Sequence, residues 1–405
     1  MNNWLGARAV QQYDGLLEDI VKNLLVRLLD VSDDSEPFEK TKHEFFLAMA
    51  SSTFRLAYGY QLENDHDPFF LNAVQAGHNV LYASMINSAL YHYIDRFPGL
   101  TIEKCADFLV NVFPTLAYVP DWLPGTGWKN TARKWREHKK YAVDAPYEWA
   151  KKQVASGEFE ASILSRLLQD QQVEQGLSTM DQENELKELA YIIFAAGTDT
   201  SATGLMNFVA AMVANPEAQA KAQAEVDSVL GNASRLPTIS DETQMPYVRN
   251  LIHEVLRWHP VAPTGGAPHA CYQDDVYRGY DIRKGTIMVG NIWAMSRDES
   301  IYKDPDAFDP DRFSDQKIPP APAFGWGRRK CPGMHFAKAT LFLAIASLLA
   351  TFHFSRKEDK DGNEIVPIIE GSVNSITVPI KAFEFELRPR SNRHRHFILE
   401  RISSN

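Results

Sequence analysis

Residues 189–214 form a largely apolar run of 26 residues, interrupted at its centre by Gly197-Thr198-Asp199-Thr200-Ser201 and closed by Asn215-Pro216. Length alone suits a membrane span. An Asp at mid-membrane, however, costs roughly 2.5–3.5 kcal/mol on insertion scales, and Thr203, Gly204 and Asn207 add further polar positions. A helix that is apolar nearly all round also suits the centre of a large soluble protein. The run therefore predicts a central helix whose polar cluster is a place where something functional touches it. A membrane-embedded helical protein is the alternative reading.

The rest of the chain is consistent with a soluble helical protein. Its 405 residues, 44% hydrophobic, suffice to bury a large core. Acidic residues outnumber basic ones 52 to 42, a net charge of −10, which argues against a nucleic-acid binder. Three scattered cysteines, Cys105, Cys271 and Cys331, predict a reducing compartment and no disulfide framework. The first residues lack the basic start and apolar run of a signal peptide. Leu16, Leu17, Ile20, Val21, Leu24, Leu25, Leu28 and Leu29 recur at helical spacing between charged residues, an amphipathic helix. Further helices are expected near 38–60, 69–95, 101–112 and 130–155, with a Pro- and Gly-rich loop over 119–127. Short strands are expected over 276–282 and 286–289, around Lys284-Gly285. A hairpin is expected where 352–355 and 365–369 flank Asp361-Gly362. That acidic turn fails as a calcium loop, because Lys357 and Ile368 hold the first and twelfth ligand positions. No repeat or linker divides the chain, which predicts a single domain over 1–405 with a solvated basic tail over 388–405.

The sharpest segment is Phe324-Gly325-Trp326-Gly327-Arg328-Arg329-Lys330-Cys331-Pro332-Gly333. It places a lone cysteine after a Gly- and Arg-rich loop and before a helix expected over 334–351. A helix N-terminus and cationic neighbours favour a thiolate, and Gly327 and Gly333 allow the backbone to approach whatever the sulfur binds. A zinc site from Cys331 and His335 lacks further ligands nearby. A buried structural cysteine is the bland alternative.

Phe324, Gly327, Arg329, Cys331 and Gly333 match Phe-x-x-Gly-x-Arg-x-Cys-x-Gly, so the segment resembles the haem-binding loop of the cytochrome P-450 haem-thiolate monooxygenases. Three further segments resemble family motifs in the family's order. Ala196-Gly197-Thr198-Asp199-Thr200-Ser201 is similar to the oxygen-activation motif, Glu254-Val255-Leu256-Arg257 to the Glu-x-x-Arg motif, and Phe308-Asp309-Pro310-Asp311-Arg312-Phe313 to the segment completing a Glu-Arg-Arg network. The resemblance spans about residues 10–392 and has the texture of a fungal microsomal member. It implies a mainly α fold with a small β region.

The resemblance also implies site roles. Haem b would be bound with Cys331 as axial ligand of the iron, and Arg329, Phe324, Gly327, Gly333 and His269 would lie in the cofactor site. Thr200 and Asp199 would be catalytic, relaying protons, and Gly197 would leave room for oxygen. Glu254, Arg257 and Arg312 would form a buried structural network; taken alone, Glu254 and Arg257 read as an exposed i, i+3 pair. Ile193, Phe194, Ala195, Pro263, Thr264, Gly265, Val373 and Ile376 would line the pocket for an apolar terpenoid, steroid or polycyclic aromatic substrate, in secondary metabolism or xenobiotic oxidation. Oxygen would be the co-substrate, with electrons from NADPH through NADPH-cytochrome P-450 reductase, attracted by Arg328, Lys330 and Lys338. The expected location is the cytoplasmic side of the endoplasmic reticulum or, with no anchor in this chain, the cytoplasm. The family's N-terminal anchor, first strands and propionate-clamping helix are missing by this reading, and Trp135-Arg136 lies too far along to replace the clamp. An inactive relative without stable haem is therefore the other alternative.

Overall fold

The computed structural model describes residues 2–84, 110, 113–169, 179–372 and 376–402. The end (85–95) of the helix expected over 69–95, the helix expected over 101–112, Cys105 and Val373 lie outside the described residues, Val110 excepted. Ten longer helices are described: α1 Asp14–Val31, α2 Phe38–Tyr58, α3 Pro68–Ser84, α4 Trp128–Ser156, α5 Ile163–Gln169, α6 Thr179–Ala214, α7 Pro216–Leu230, α8 Pro246–Trp258, α9 Met334–Thr351 and α10 Asn392–Ile402. Three two-stranded antiparallel sheets pair β1 His269–Ala270 with β4 Ile287–Met288, β2 Asp275–Tyr277 with β3 Tyr280–Ile282, and β5 Phe352–Ser355 with β6 Glu386–Pro389. The chain forms two compact units. One comprises Met1–Met49, Asp199–Ser372 and Ile376–Asn405; the other contains Ala50–Thr198.

The first unit is built on α9. Every residue from Leu341 to Thr351 is buried, because the helix is apolar on all sides and must be enclosed on all sides. Among the described residues it is the one helix long and apolar enough to cross a membrane, and 72% of it is buried inside the protein. The stripe Leu17, Val21, Leu24 and Leu28 of α1 packs against it, as does the α7 face carrying Ala222 and Val226. Two buried glutamines of α7 secure β5. Gln219 donates to the Phe354 carbonyl (2.7 Å) and accepts from its N–H (2.9 Å), and Gln223 donates to the Phe352 carbonyl (2.9 Å). These amides satisfy strand groups that no neighbouring strand reaches.

In the second unit α3 packs on α4, and Ala76, Ala142, Val143 and Tyr191 form a small core against which Ala195 packs. Phe54 meets Phe194 with ring centroids 4.8 Å apart, and Tyr60 meets Trp149 edge-on at 4.7 Å. Lys187 of α6 lies within 3.1–3.6 Å of Glu183, Asp144 and Glu148.

Three sequence expectations are corrected. The strand expected over 276–282 is a hairpin, because Arg278 and Gly279 both adopt positive φ (50° and 85°), the backbone of a tight two-residue turn. The segment 365–369 is no partner for 352–355: the Asp361-Gly362 turn closes a Glu358–Glu364 bridge, and β5 pairs instead with β6. The basic tail is not wholly solvated. His394, Phe397 and Ile398 recur at i, i+3, i+4 and are buried, while Arg390 binds both Asp227 oxygens (2.8 and 2.5 Å).

Two outcomes follow. Gln219→Leu strands two buried backbone groups and is expected to lower the unfolding free energy by about 2–4 kcal/mol in urea denaturation. Burial, aided by nearby cations, pushes His253 and His259 from 6.5 down to about 4. Their unfolded counterparts bind protons first, so this contribution is complete above pH 6.5 and is lost as pH falls toward 4. The loss is about 3 kcal/mol per histidine. Unfolding free energy measured from pH 8 to 4 should fall below 6.5, with a shallower fall in His253→Gln.

Candidate functional site

Helix α8 puts Glu254 and Arg257 on one buried face, and both are fully inaccessible. Arg257 binds the carboxylate in a fork, Nε to Oε2 at 2.7 Å and Nη2 to Oε1 at 2.8 Å. Arg312 Nε donates to the same two oxygens at 3.1 and 3.2 Å, and the Asp309 N–H donates to Oε1 at 2.7 Å. One carboxylate thus meets two guanidinium groups. Their remaining N–H groups are taken by carbonyls: Ser296, Pro305 and Ala307 for Arg257, and Lys303, Asp304 and Ala307 for Arg312. The cluster therefore fixes the irregular stretch 296–312 by its backbone. Arg257 also lies over Tyr302 (5.4 Å), whose hydroxyl donates to the Pro319 carbonyl (2.9 Å), a few residues before the cysteine loop.

That loop bends at Gly325 and Gly327, both left-handed (φ 67° and 64°), a conformation that costs glycine little. The Cys331 N–H donates back to the Phe324 carbonyl (2.9 Å), closing the loop just before α9. Cys331 is a free, exposed cysteine. Such burial as its thiol has pushes its pKa up, opposed by the Gly333 N–H. Arg328, Arg329 and Lys330, expected to favour the thiolate, are exposed. Lys338 is half-buried, 6.0 Å from the Phe324 ring, and burial lowers its pKa. Trp326 lies on Gly290, where a Cβ would come within 2.7 Å of the indole. A Cβ on Gly265 would lie 3.1 Å from the Gly290 carbonyl, and the Trp293 N–H donates to the Pro263 carbonyl (3.0 Å). The cysteine loop, residues 287–293 and the Pro263–Gly265 segment are thus brought together. Their apolar groups Ile287, Met288, Val289, Trp293 and Trp326 are left exposed, as are Thr264 and, on β1, His269.

On α6 the polar centre divides among different neighbours. Asp199 accepts a hydrogen bond from the Thr377 hydroxyl (2.8 Å). Thr198 pairs with Thr53 of α2 (2.9 Å). A Cβ on Gly197 would lie 2.9 Å from the Thr53 methyl, so this glycine serves helix packing. Phe194 is 3% exposed against Phe54, and Ala195 faces the small core. Phe194 is a core residue here, not a pocket-lining one, whereas Ala195 and Ile193 are half-buried. The open face carries Ile192 and Ala196, about two turns and one turn before Thr200. The signal was available: i, i+4 steps back from Thr200 reach 196 and 192. Ile376 is partly exposed beside Thr377. Thr377 itself gave no signal, since its bond spans 178 residues.

The cytochrome P-450 family model matches residues 6–386. The chain belongs to the cytochrome P-450 family. It is 35% identical to cytochrome P-450 monooxygenase claR of Ampulloclitocybe clavipes over 96% of this chain and 68% of that protein. It is 37% identical to cytochrome P-450 monooxygenase 208 of Postia placenta, over 83% of this chain and 61% of that one. An Armillaria gallica cytochrome P-450 monooxygenase is 37% identical over 82% and 62%. The chain thus spans about two thirds or less of these relatives' lengths. In fold it matches the crystal structure of the cytochrome P-450DA haem domain, with a TM-score of 0.74 at 19% identity, covering 96% of this chain and 76% of that one. A zebra fish cytochrome P-450 structure with abiraterone matches with a TM-score of 0.70 at 21% identity, covering 94% and 78%.

The family implies a haem iron, and the residues present suit one. No group of three or more His, Cys, Asp or Glu side chains that could hold a metal ion occurs among the described residues. Cys331, free and exposed just before α9, suits a metal that brings its other ligands and needs one from the protein. The exposed apolar groups around the cysteine loop suit a flat apolar macrocycle, and exposed Arg329 and His269 suit carboxylates at its edge.

Glu254→Gln leaves Arg257 and Arg312 buried without their counter-charge. It is expected to destabilise the protein by about 3–5 kcal/mol, read as a lowered thermal midpoint.

Proposed function

We propose that this protein is a haem-thiolate monooxygenase acting on an apolar small molecule of terpenoid, steroid or polycyclic aromatic type. The observation that carries the reading is the free thiol of Cys331, presented on a loop closed by its own backbone and anchored through Tyr302 to a fully buried Glu-Arg-Arg cluster. Cys331 would hold the haem iron, Gly325 and Gly327 would allow the close approach, and Arg329 and His269 would meet the carboxylate edge. When bound, the haem supplies the chemistry that inserts one atom of O2 into a C–H bond and releases the other as water, with thiolate ligation favouring O–O cleavage.

The chain's own residues bind, orient and move protons. The open α6 face at Ile192 and Ala196 leads to Thr200, whose hydroxyl would pass protons supplied by Asp199. Pro263, Thr264, Gly265 and Ile376 would contact substrate through apolar and backbone groups, which suits an apolar molecule. Electrons would come from NADPH through a reductase with an acidic docking face. Exposed Arg328 and Lys330 suit it; Lys338 is too buried to lead. The setting would be fungal secondary metabolism or xenobiotic oxidation at the cytoplasmic face of the endoplasmic reticulum.

The test is expression with haem supply, followed by the spectrum of the reduced, carbon-monoxide-bound protein beside Cys331→Ala. A strongly red-shifted Soret band lost in the variant is the expected result. Soluble protein that takes up no haem would sink the reading and favour an inactive relative.

A further inference from the structure

Asp199 sits inside a long helix between exposed Ala196 and half-buried Thr200, and its carboxylate accepts a hydrogen bond from the Thr377 hydroxyl at 2.8 Å. Hydrogen bonds from separate parts of the chain hold the backbone on which that hydroxyl is carried. The Val378 N–H donates to the Val261 carbonyl (2.9 Å), and the Ser372 N–H donates to the Pro379 carbonyl (2.8 Å), so the backbone around Thr377 is tied down. Val378 also packs closely, because a Cβ on Gly371 would lie 2.5 Å from its methyl and 3.3 Å from the His259 ring. The His259–Val261 stretch is held in turn by α6. Asn207, fully buried on that helix, donates to the His259 carbonyl (2.7 Å). Asn207 lies eight residues after Asp199, about 12 Å along the helix.

The hydrogen bonds therefore close a ring: Asp199 to Thr377, along the chain to Val378, across to Val261, back along the chain to His259, then to Asn207 and through α6 to Asp199. A side chain aimed by such a ring has little rotameric freedom left, which is how a site holds a functional group within the tolerance chemistry needs. A hydroxyl donor also suits an ionised carboxylate acceptor and occupies one of its two oxygens.

We propose that Thr377 is the positioning residue for Asp199, holding one carboxylate oxygen so that the other is presented to the Thr200 proton relay, with Asn207 holding the ring closed from the same helix. The proposal rests on the monooxygenase reading and names how its proton supply is aligned.

The experiment compares Thr377→Val, which keeps the shape and removes the hydroxyl, with Thr377→Ser, which restores it, and with Asp199→Asn. Isotope-edited infrared difference spectra against Asp199→Asn isolate the Asp199 carboxylate band without any turnover. The band should move in Thr377→Val to the position of a carboxylate that has lost a donor, and return in Thr377→Ser. In the haem-loaded protein, oxidised product per NADPH consumed should fall about two- to tenfold in Thr377→Val, with hydrogen peroxide rising, substrate KM unchanged and Thr377→Ser recovering most of the loss. An unmoved band, wild-type coupling in Thr377→Val, or a Thr377→Ser as poor as Thr377→Val would each overturn the proposal. A chain that takes up no haem sinks the functional reading instead, and the infrared comparison still decides whether Thr377 holds Asp199.

Discussion

Removing a carboxylate from water is expensive unless every lone pair is matched. At Glu254 the matching comes from two guanidinium groups and a backbone N–H, and the guanidinium donors left over are matched by five backbone carbonyls of the stretch 296–312. The cost of burying these charges is offset only when that stretch takes one conformation. A segment with little regular secondary structure is thereby held by electrostatics, where a helix or sheet would use its own ladder. Tyr302 passes the constraint on to Pro319, and the loop that presents Cys331 begins a few residues later.

The long helix α6 obeys a second constraint. An apolar helix enclosed by others has no reason to carry polar groups unless each finds a partner, and here several do. Thr198 reaches Thr53, Asp199 reaches Thr377, and Asn207 reaches a carbonyl of the segment after α8. Two glycines of the same helix, Gly197 and Gly204, face the Thr53 methyl and Leu341 across close contacts. The centre of α6 is therefore both packing surface and polar attachment line. The face left open, at Ile192 and Ala196, is narrow for that reason.

Much of this was legible from residue order. The Cys331 loop, the pairing of Glu254 with Arg257, the amphipathic stripe of α1 and the bounds of α9 follow from local spacing and from motifs that keep their meaning out of context. The pairing of β5 with β6 was not legible, because the Asp361-Gly362 turn is a strong local signal that competes with a partner some thirty residues away. The buried face of α10 was hidden by the arginines around His394, Phe397 and Ile398. Phe194 was misplaced because adjacency to a motif says nothing about direction, and only a helical step of three or four residues keeps a face.

The sequence by itself determined which residues are candidates for chemistry or for buried charge: one cysteine in a glycine-rich loop, an acid and an alcohol in an apolar helix, and a carboxylate with two arginines. These are properties of side-chain type and near-neighbour spacing. The tertiary structure alone decided which way each of them points and what restrains it. Thr377 reaches Asp199, Gln219 satisfies the backbone of Phe354, and Arg312 shares the carboxylate that Arg257 holds, across 178, 135 and 58 residues. Contacts of that range form through the closing of the whole chain, and no local spacing encodes them.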